Sequence, residues 1–349
     1  MALPTVQKKW VIREGQKGFD DIHLIDGPIP KVDDYGVLVK LHAVGLNPRD
    51  YQITQPGAFA FSIKLPVVGG SDGAGEVVAV GPKVTKWKPG DRVATLFNPG
   101  HQVGPMNTEA YYMGGLGGTI DGTFQQYGVF EETWLVRVAP NLSYLEAASL
   151  SNAAVTAWNA LYGLKALKAG EWVLIQGTGG VSLFAVQFAK AAGAKIVATT
   201  SSPAKADLLK RLGADHVINY REDPEWGLTA RACTLNGDGF DNIIEVGGTD
   251  TLSQSVKAIK FEGIISEIGA LTGAAQGNSN VIDALLKICT FRGLHVGSRV
   301  QMEEMMAAIE ANKIQPVLDE TVFAFEGLRD GLEYIAAQKH VGKVVVKIV

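Results

Sequence analysis

One ten-residue stretch limits what this chain can fold into: Val173-Leu174-Ile175-Gln176-Gly177-Thr178-Gly179-Gly180-Val181-Ser182. An apolar run suited to a buried strand ends in a glycine turn. Beyond the turn Val181, Phe184, Ala185, Phe188, Ala189 and Ala192 recur at i, i+3, i+4, i+7, i+8 and i+11, one face of a helix. The alternation then repeats, with strands expected at 196–199, 217–219, 242–246 and 264–268 and a helix at 204–212. Such a chain needs a parallel sheet covered by helices on both faces. Gly177 permits the tight turn, and Gly179 lets backbone approach a phosphate. The helix opening at Gly180 aims unpaired N–H groups and its positive end at an anion. Gly177, Thr178, Gly179, Gly180, Val181 and Ser182 are therefore candidate pyrophosphate-binding residues, with Ser182 replacing the third glycine of the dinucleotide fingerprint. A glycine turn in an ordinary α/β domain is the alternative.

The end of the second strand bears on which dinucleotide fits. An NAD site places an acid about 20 residues past the glycine motif, to hold the ribose diol. Here Thr199 runs into Thr200-Ser201-Ser202-Pro203-Ala204-Lys205, with no acid before Asp207. Hydroxyls at Ser201 and Ser202 and the Lys205 amine suit a 2′-phosphate, favouring NADPH over NADH. Ser202-Pro203 is equally a helix N-cap and first-turn pair, and both readings hold together because a helix N-terminus also receives phosphate.

Up to about residue 150 the texture is different, with short strands expected at 37–44, 75–81, 92–94 and 125–130 between Gly/Pro turns. After about residue 297 a helix at 302–311 and a strand at 344–348 are expected to return to this β-rich part. A length of 349 residues suits two such domains, expected to share a tight interface with a cleft. The 41 glycines cluster at the ends of apolar runs rather than repeating periodically. A net charge of −4 gives no general attraction to nucleic acid or an anionic membrane. No apolar run reaches the ~18 residues of a membrane span, and no signal core follows the basic N-terminal residues. Two cysteines, Cys233 and Cys289, exclude a disulfide framework and a multi-cysteine zinc lobe. A cytoplasmic globular protein is expected.

Ordered motifs along the chain then point to a family. Gly45-Leu46-Asn47-Pro48-Arg49-Asp50-Tyr51, Gly69-Gly70-Ser71-Asp72-Gly73-Ala74-Gly75-Glu76-Val77, Pro89-Gly90-Asp91-Arg92-Val93, the turn at 177–182, Ala214-Asp215-His216-Val217-Ile218-Asn219-Tyr220 and Val341-Gly342-Lys343-Val344 follow in sequence. Together they resemble the medium-chain dehydrogenase/reductase superfamily, in its zinc-independent quinone oxidoreductase-like branch. The resemblance implies an α/β protein with a GroES-like β-rich catalytic domain (1–155, completed by 297–349) and a Rossmann doubly wound NADP-binding domain (156–296). It places Asn47, Ser71 and Asn152 where zinc alcohol dehydrogenases carry Cys, His and Cys, and puts no cysteine in the 97–119 stretch of their structural zinc lobe. No metal is expected, because amide and hydroxyl oxygens are poor zinc ligands.

The resemblance also implies cofactor contacts. Lys205 and Tyr220 match residues that hold a 2′-phosphate, and Thr156 one near the nicotinamide. Gly247 is a further candidate cofactor contact, and Ile268, Gly269, Ala270, Val296, Gly297 and Ser298 lie where backbone meets the carboxamide and ring. Arg299 and Lys343 are candidate phosphate contacts. For chemistry, Asn47 can donate to a developing oxyanion, Arg49 can supply positive charge, and Tyr51 can offer a proton. Turn formation at Asn47-Pro48 and pairing of Asp50 with Arg49 or backbone explain the same residues. The expected activity is NADPH-dependent reduction of a quinone or α,β-unsaturated carbonyl, a small electrophile. The alternatives are a zinc-independent alcohol/carbonyl dehydrogenase and a non-catalytic NADPH-binding protein like the family's crystallins. A homodimer or tetramer through Rossmann-sheet edges is implied, with 291–298 as the edge segment. The 98–119 loop is read as a substrate cover or a surface segment.

Overall fold

The structure, a computed structural model, describes residues 3–14, 17–55, 63–269 and 282–349. The chain separates into two compact units, Met1–Val155 with Gly297–Val349, and Thr156–Val296.

The second unit is built on six parallel strands. Across the sheet they run His216–Asn219, Lys195–Thr200, Trp172–Gln176, Phe240–Glu245, Ile259–Glu267 and Thr290–Gly293. The first strand of the unit is central. The chain steps outward from it to one edge and restarts beside it at Phe240–Glu245, so the winding reverses there, the arrangement of the Rossmann sheet. Strand interiors are apolar on both faces: Val173, Leu174, Ile175, Ile196, Val197, Ile243 and Ile244 are all fully buried. Helices cover the faces, as βαβ crossovers require.

The expected 291–298 segment is strand only over Thr290–Gly293. Beyond it Val296 adopts φ +49, and its carbonyl accepts the Asn159 Nδ2 hydrogen bond at 2.7 Å. Arg292 holds the same helix residue through the Asn159 carbonyl and Oδ1, each at 2.8 Å.

The first unit contains a seven-stranded sheet. Leu318–Ala324, Lys343–Lys347, Gly36–Gly45, Asp72–Val80, Arg92–Thr95 and Leu135–Arg137 lie in that order, and Tyr127–Glu131 pairs with Gly36–Gly45. A smaller sheet joins Ile22–Pro28, Val6–Ile12 and Val67–Val68. Sequence reading overlooks Val6–Ile12, Ile22–Pro28, Leu318–Ala324 and the helix Leu328–Ala336. That helix buries Leu328, Leu332 and Ile335 against Leu46, Phe325, Val344 and Val346, a gain of roughly 1.5–3 kcal/mol for each large side chain.

Two strand registers position the centre of this unit. Val345 pairs antiparallel with Gly45, and Gly45 with Asp72. Continued by two residues, the first register sets Lys343 across from Asn47, and the Leu46 amide reaches the Val344 carbonyl at 3.0 Å.

Candidate functional site

In the second unit the glycine turn sits where the winding reverses. Gly177 has φ +74, a conformation that side chains with a Cβ rarely adopt. A Cβ added at Gly177 or Gly179 meets no protein atom within 4 Å, so the turn has open space above its backbone. The helix Gly180–Ala191 starts there with its N–H groups toward that space. Ser182, the residue replacing the third glycine, is buried and donates from Oγ to the Gln176 carbonyl at 2.6 Å. Its hydroxyl thus ties helix to strand, where a glycine would only allow them to approach. These residues fit a dinucleotide pyrophosphate.

Beside the turn lies a group that sequence reading missed. The Glu245 carboxylate, fully buried at the end of its strand, accepts from Gln176 Nε2 (2.6 Å), Ser255 Oγ (2.5 Å), Thr251 Oγ1 (2.5 Å) and the amides of Gly247 (2.9 Å) and Gly248 (3.1 Å). Five donors offset the desolvation of a buried carboxylate. The group joins the ends of the two strands that flank the switch point, and it fixes Gly247. Its available signal was an acid at the end of an apolar strand, followed by Gly247-Gly248.

At the next strand end Ser202 caps the helix Pro203–Leu212, its Oγ accepting from the Lys205 amide at 3.5 Å. Lys205 is partly exposed in the first turn of that helix. Tyr220 is 41% exposed, and its amide bonds the Thr200 carbonyl at 3.1 Å. Ser201, Ser202 and Lys205 thus follow one strand end and Tyr220 the end of the strand paired beside it. Thr156 is buried at the start of this unit, in the helix Val155–Tyr162. Ile268 and Gly269 follow the strand Ile259–Glu267 directly; Ala270 lies outside the described residues.

Gly297, Ser298, Arg299 and Lys343 belong to the first unit. Ser298 caps the helix Arg299–Asn312 in a reciprocal box with Gln301. The Arg299 side chain binds Gln102 Oε1 at 2.7 Å and Glu303 Oε1 at 2.6 Å, while its amide reaches the His101 carbonyl at 2.9 Å. The 98–119 loop is thereby anchored at one end. Within it, Asn98 donates to the Ala110 carbonyl at 2.8 Å and Asn107 caps the short helix Thr108–Met113.

The centre of the first unit is a buried polar cluster. Asn47 stands before the helix Pro48–Gln52, and its amide donates to Asp50 Oδ2 at 2.8 Å. The Asn47 Oδ1 accepts from Lys343 Nζ at 2.7 Å, and the same ammonium donates to the Leu46 carbonyl at 2.9 Å. Asp72 Oδ2 lies 3.6 Å from that ammonium, accepts the Asn152 amide at 3.3 Å, and Oδ1 accepts from Ser71 Oγ at 2.8 Å. Asn47 Nδ2 faces Ser71 Oγ at 3.5 Å. Arg49 turns its guanidinium to the Leu116 carbonyl at 2.8 Å, to Asp50 Oδ1 at 3.4 Å and over the Phe97 ring at 5.0 Å. Burial pushes the Asp50 carboxyl up to about 6, against the opposing pull of Arg49. Tyr51 is half-buried, 6.0 Å from the Phe19 ring, and burial raises its phenol too.

Asn47, Ser71 and Asn152 are thus drawn around Asp72 and Lys343, but they do not suit zinc. The one amide oxygen of Asn47 is taken by an ammonium, and a divalent cation at about 4 Å from that charge would meet repulsion of several kcal/mol. Among the described residues no group of three His, Cys, Asp or Glu side chains is placed to hold a metal ion. Nor is any described helix long and apolar enough to cross a membrane.

Comparison with known proteins matches both units. Residues 33–140 fit the alcohol dehydrogenase GroES-like domain, and residues 180–311 fit the zinc-binding dehydrogenase family. A zinc-type alcohol dehydrogenase-like protein of Schizosaccharomyces pombe is 43% identical over 97% of this chain and 99% of its own. A solved structure from Sinorhizobium meliloti 1021, described as an alcohol dehydrogenase, shares 35% identity with a TM-score of 0.91, covering 99% of this chain and all of its own. The quinone oxidoreductase of Pseudomonas syringae superposes with a TM-score of 0.79 at 25% identity, covering 98% of this chain and 100% of that one. Likeness of this extent, on a GroES-like unit and a Rossmann unit, means that the chain belongs to the medium-chain dehydrogenase/reductase superfamily, oxidoreductases that work with a nicotinamide cofactor.

Proposed function

We propose that this oxidoreductase uses NADPH to reduce quinones or α,β-unsaturated carbonyls without a metal. The observation that carries the reading is the Asn47 side chain bound to a buried ammonium, at the place where a zinc-type centre needs thiolate and imidazole. Alcohol oxidation lacks its usual activation there, since nothing lowers the alcohol's pKa. A conjugated acceptor needs less. It requires a hydride at carbon and stabilisation of the oxygen that becomes enolate or phenolate.

When bound, the reduced nicotinamide supplies the hydride. Asn47 Nδ2 donates to the developing oxyanion, and Tyr51, a phenol protonated at neutral pH that burial makes a weaker acid, is the proton source once the enolate needs one. Arg49, tied to Leu116 and Phe97, holds the loop that ends beside the cluster. The glycine turn takes the pyrophosphate, and Ser201, Ser202, Lys205 and Tyr220 the 2′-phosphate. Purified protein is expected to oxidise NADPH when given a quinone or enone, unchanged by EDTA and much faster than with NADH. Activity lost to EDTA and restored by zinc would favour the alcohol dehydrogenase reading, which the names of the relatives support. Tight NADPH binding without turnover on a broad panel of electrophiles would favour the binding-protein reading.

The same proposal includes a homodimer. Thr290–Gly293 is an edge strand, and Phe261, Leu285, Leu286 and Ile288 nearby are exposed. Light scattering that gives a monomer mass at micromolar concentration would remove it.

A further inference from the structure

We infer that Lys343 is a positioning residue whose buried ammonium fixes the orientation of the Asn47 amide, so that N–H rather than oxygen is presented to the acceptor. The inference rests on the reading of Asn47 as the oxyanion donor. A carboxamide has two nearly isosteric ends and, left alone, can turn either way. An ammonium has three donors and no acceptor, so it tolerates only the oxygen end. With Lys343 Nζ at 2.7 Å from Asn47 Oδ1, the Nδ2 end is forced to the other side.

The other contacts agree with that polarity. Ser71 donates its own proton to Asp72, which leaves hydroxyl lone pairs facing Asn47 Nδ2 at 3.5 Å. One N–H is thus directed at Ser71, and the second meets no other protein acceptor among the described residues. The ammonium is itself held in place. Leu46 and Asn47 take two of its protons, and Asp72 lies 3.6 Å away on the third side. Lys343 is 4% exposed, so water competes little for these bonds.

The arrangement follows from strand register rather than from side-chain reach alone. Lys343–Lys347 and Asp72–Val80 flank Gly36–Gly45, so cation, amide and carboxylate come from three neighbouring strand ends. A lysine contacting cofactor phosphate and a lysine orienting Asn47 make opposite demands on this side chain, and they predict different defects.

The test compares Lys343→Ala, Asn47→Ala and the double variant, each assayed well below its own melting temperature, because loss of the ammonium leaves the buried Asp72 without its cation. Three quantities are read: kcat with a quinone, NADPH affinity by fluorescence, and the Asn47 side-chain amide signal in protein labelled with ¹⁵N-asparagine. Lys343→Ala is expected to lower kcat about 10- to 100-fold, as misorientation of one oxyanion donor should, with NADPH affinity changed less than about twofold. In the Asn47→Ala background the same substitution should cost almost nothing, and ethylammonium should restore part of the single variant's kcat. Its Asn47 amide signal should shift and exchange faster with solvent. An unmoved amide signal overturns the positioning role whatever the activity. So does a weakened NADPH affinity equal in both backgrounds, or two kcat losses that multiply. If the amide signal moves while Asn47→Ala keeps full turnover, positioning stands and the assignment of Asn47 as donor falls.

Discussion

The glycine turn of the second unit and the polar cluster of the first solve the same problem, charge placed inside a protein, in opposite ways. The turn works with backbone: three glycines, a helix N-terminus and open space above them. The cluster works with side chains, two cations and two carboxylates at Arg49, Lys343, Asp50 and Asp72, all nearly closed from solvent. A backbone site tolerates no added atom but needs no particular side chain. A side-chain site tolerates small changes in shape, yet each removed group leaves a buried partner unpaired. The two should therefore fail differently when changed.

The sharpest break is Gly179→Val. A Cβ there meets no protein atom within 4 Å and the residue sits at φ −74, so a side chain is accommodated at the cost of a poorer N-cap. The space it fills is the one proposed for the pyrophosphate. Losing two charge-assisted bonds of ~1.5–3 kcal/mol each predicts about 100- to 10,000-fold weaker NADPH binding. An unchanged melting temperature with unchanged affinity would show that the turn is merely structural. Next in size is Asn47→Ala, expected to lower kcat/KM with a quinone on the order of 100- to 1,000-fold while nucleotide affinity holds. Equal losses in both would place Asn47 with the cofactor instead.

The same contrast explains what the sequence made visible. The strand Trp172–Gln176 and the helix Gly180–Ala191 lie almost where the pattern of residues puts them, because strand, turn and helix are consecutive and each has a local period. Lys343 gave no comparable signal. Its partners are 296 residues away in the chain at Asn47 and somewhat closer at Asp72, and only the strand registers bring them together. Arg299 shows the same limit, since its partner Gln102 lies on a loop without periodicity. Glu245 was hidden because five donors on three segments satisfy it, and none of them forms a motif.

Buried carboxylates also distinguish the cluster by pH. The Asp50 pKa is raised from 3.8 to about 6, so the folded protein holds that proton more tightly than the unfolded chain. The contribution is fully present below about pH 4 and lost as pH rises through about 6. A shift of about two units corresponds to about 3 kcal/mol. Asp50→Asn cannot titrate. The stability of wild type minus that of the variant, from urea unfolding, should thus fall by up to that amount between pH 4 and pH 7. A difference that stays constant would mean that Asp50 is charged throughout. No such dependence is expected from the glycine turn, which has no titrating group of its own.

The smallest expected effect probes where the backbone site acquires side chains. Ser202 keeps its capping bond to the Lys205 amide whatever side chain stands at 205, so Lys205→Ala leaves the helix Pro203–Leu212 capped and the turn intact. What it removes is the ammonium proposed to meet the 2′-phosphate, a charge-assisted contact of ~1.5 kcal/mol or more, or about tenfold in affinity. NADPH binding should weaken by that factor and NADH binding by almost none, since NADH carries no group for the amine to meet. Salt should narrow the gap between wild type and variant for NADPH alone, because a partly exposed pair is screened. Equal weakening of both nucleotides would instead assign Lys205 to the helix, and would leave the choice of nucleotide to Tyr220 and the two serines.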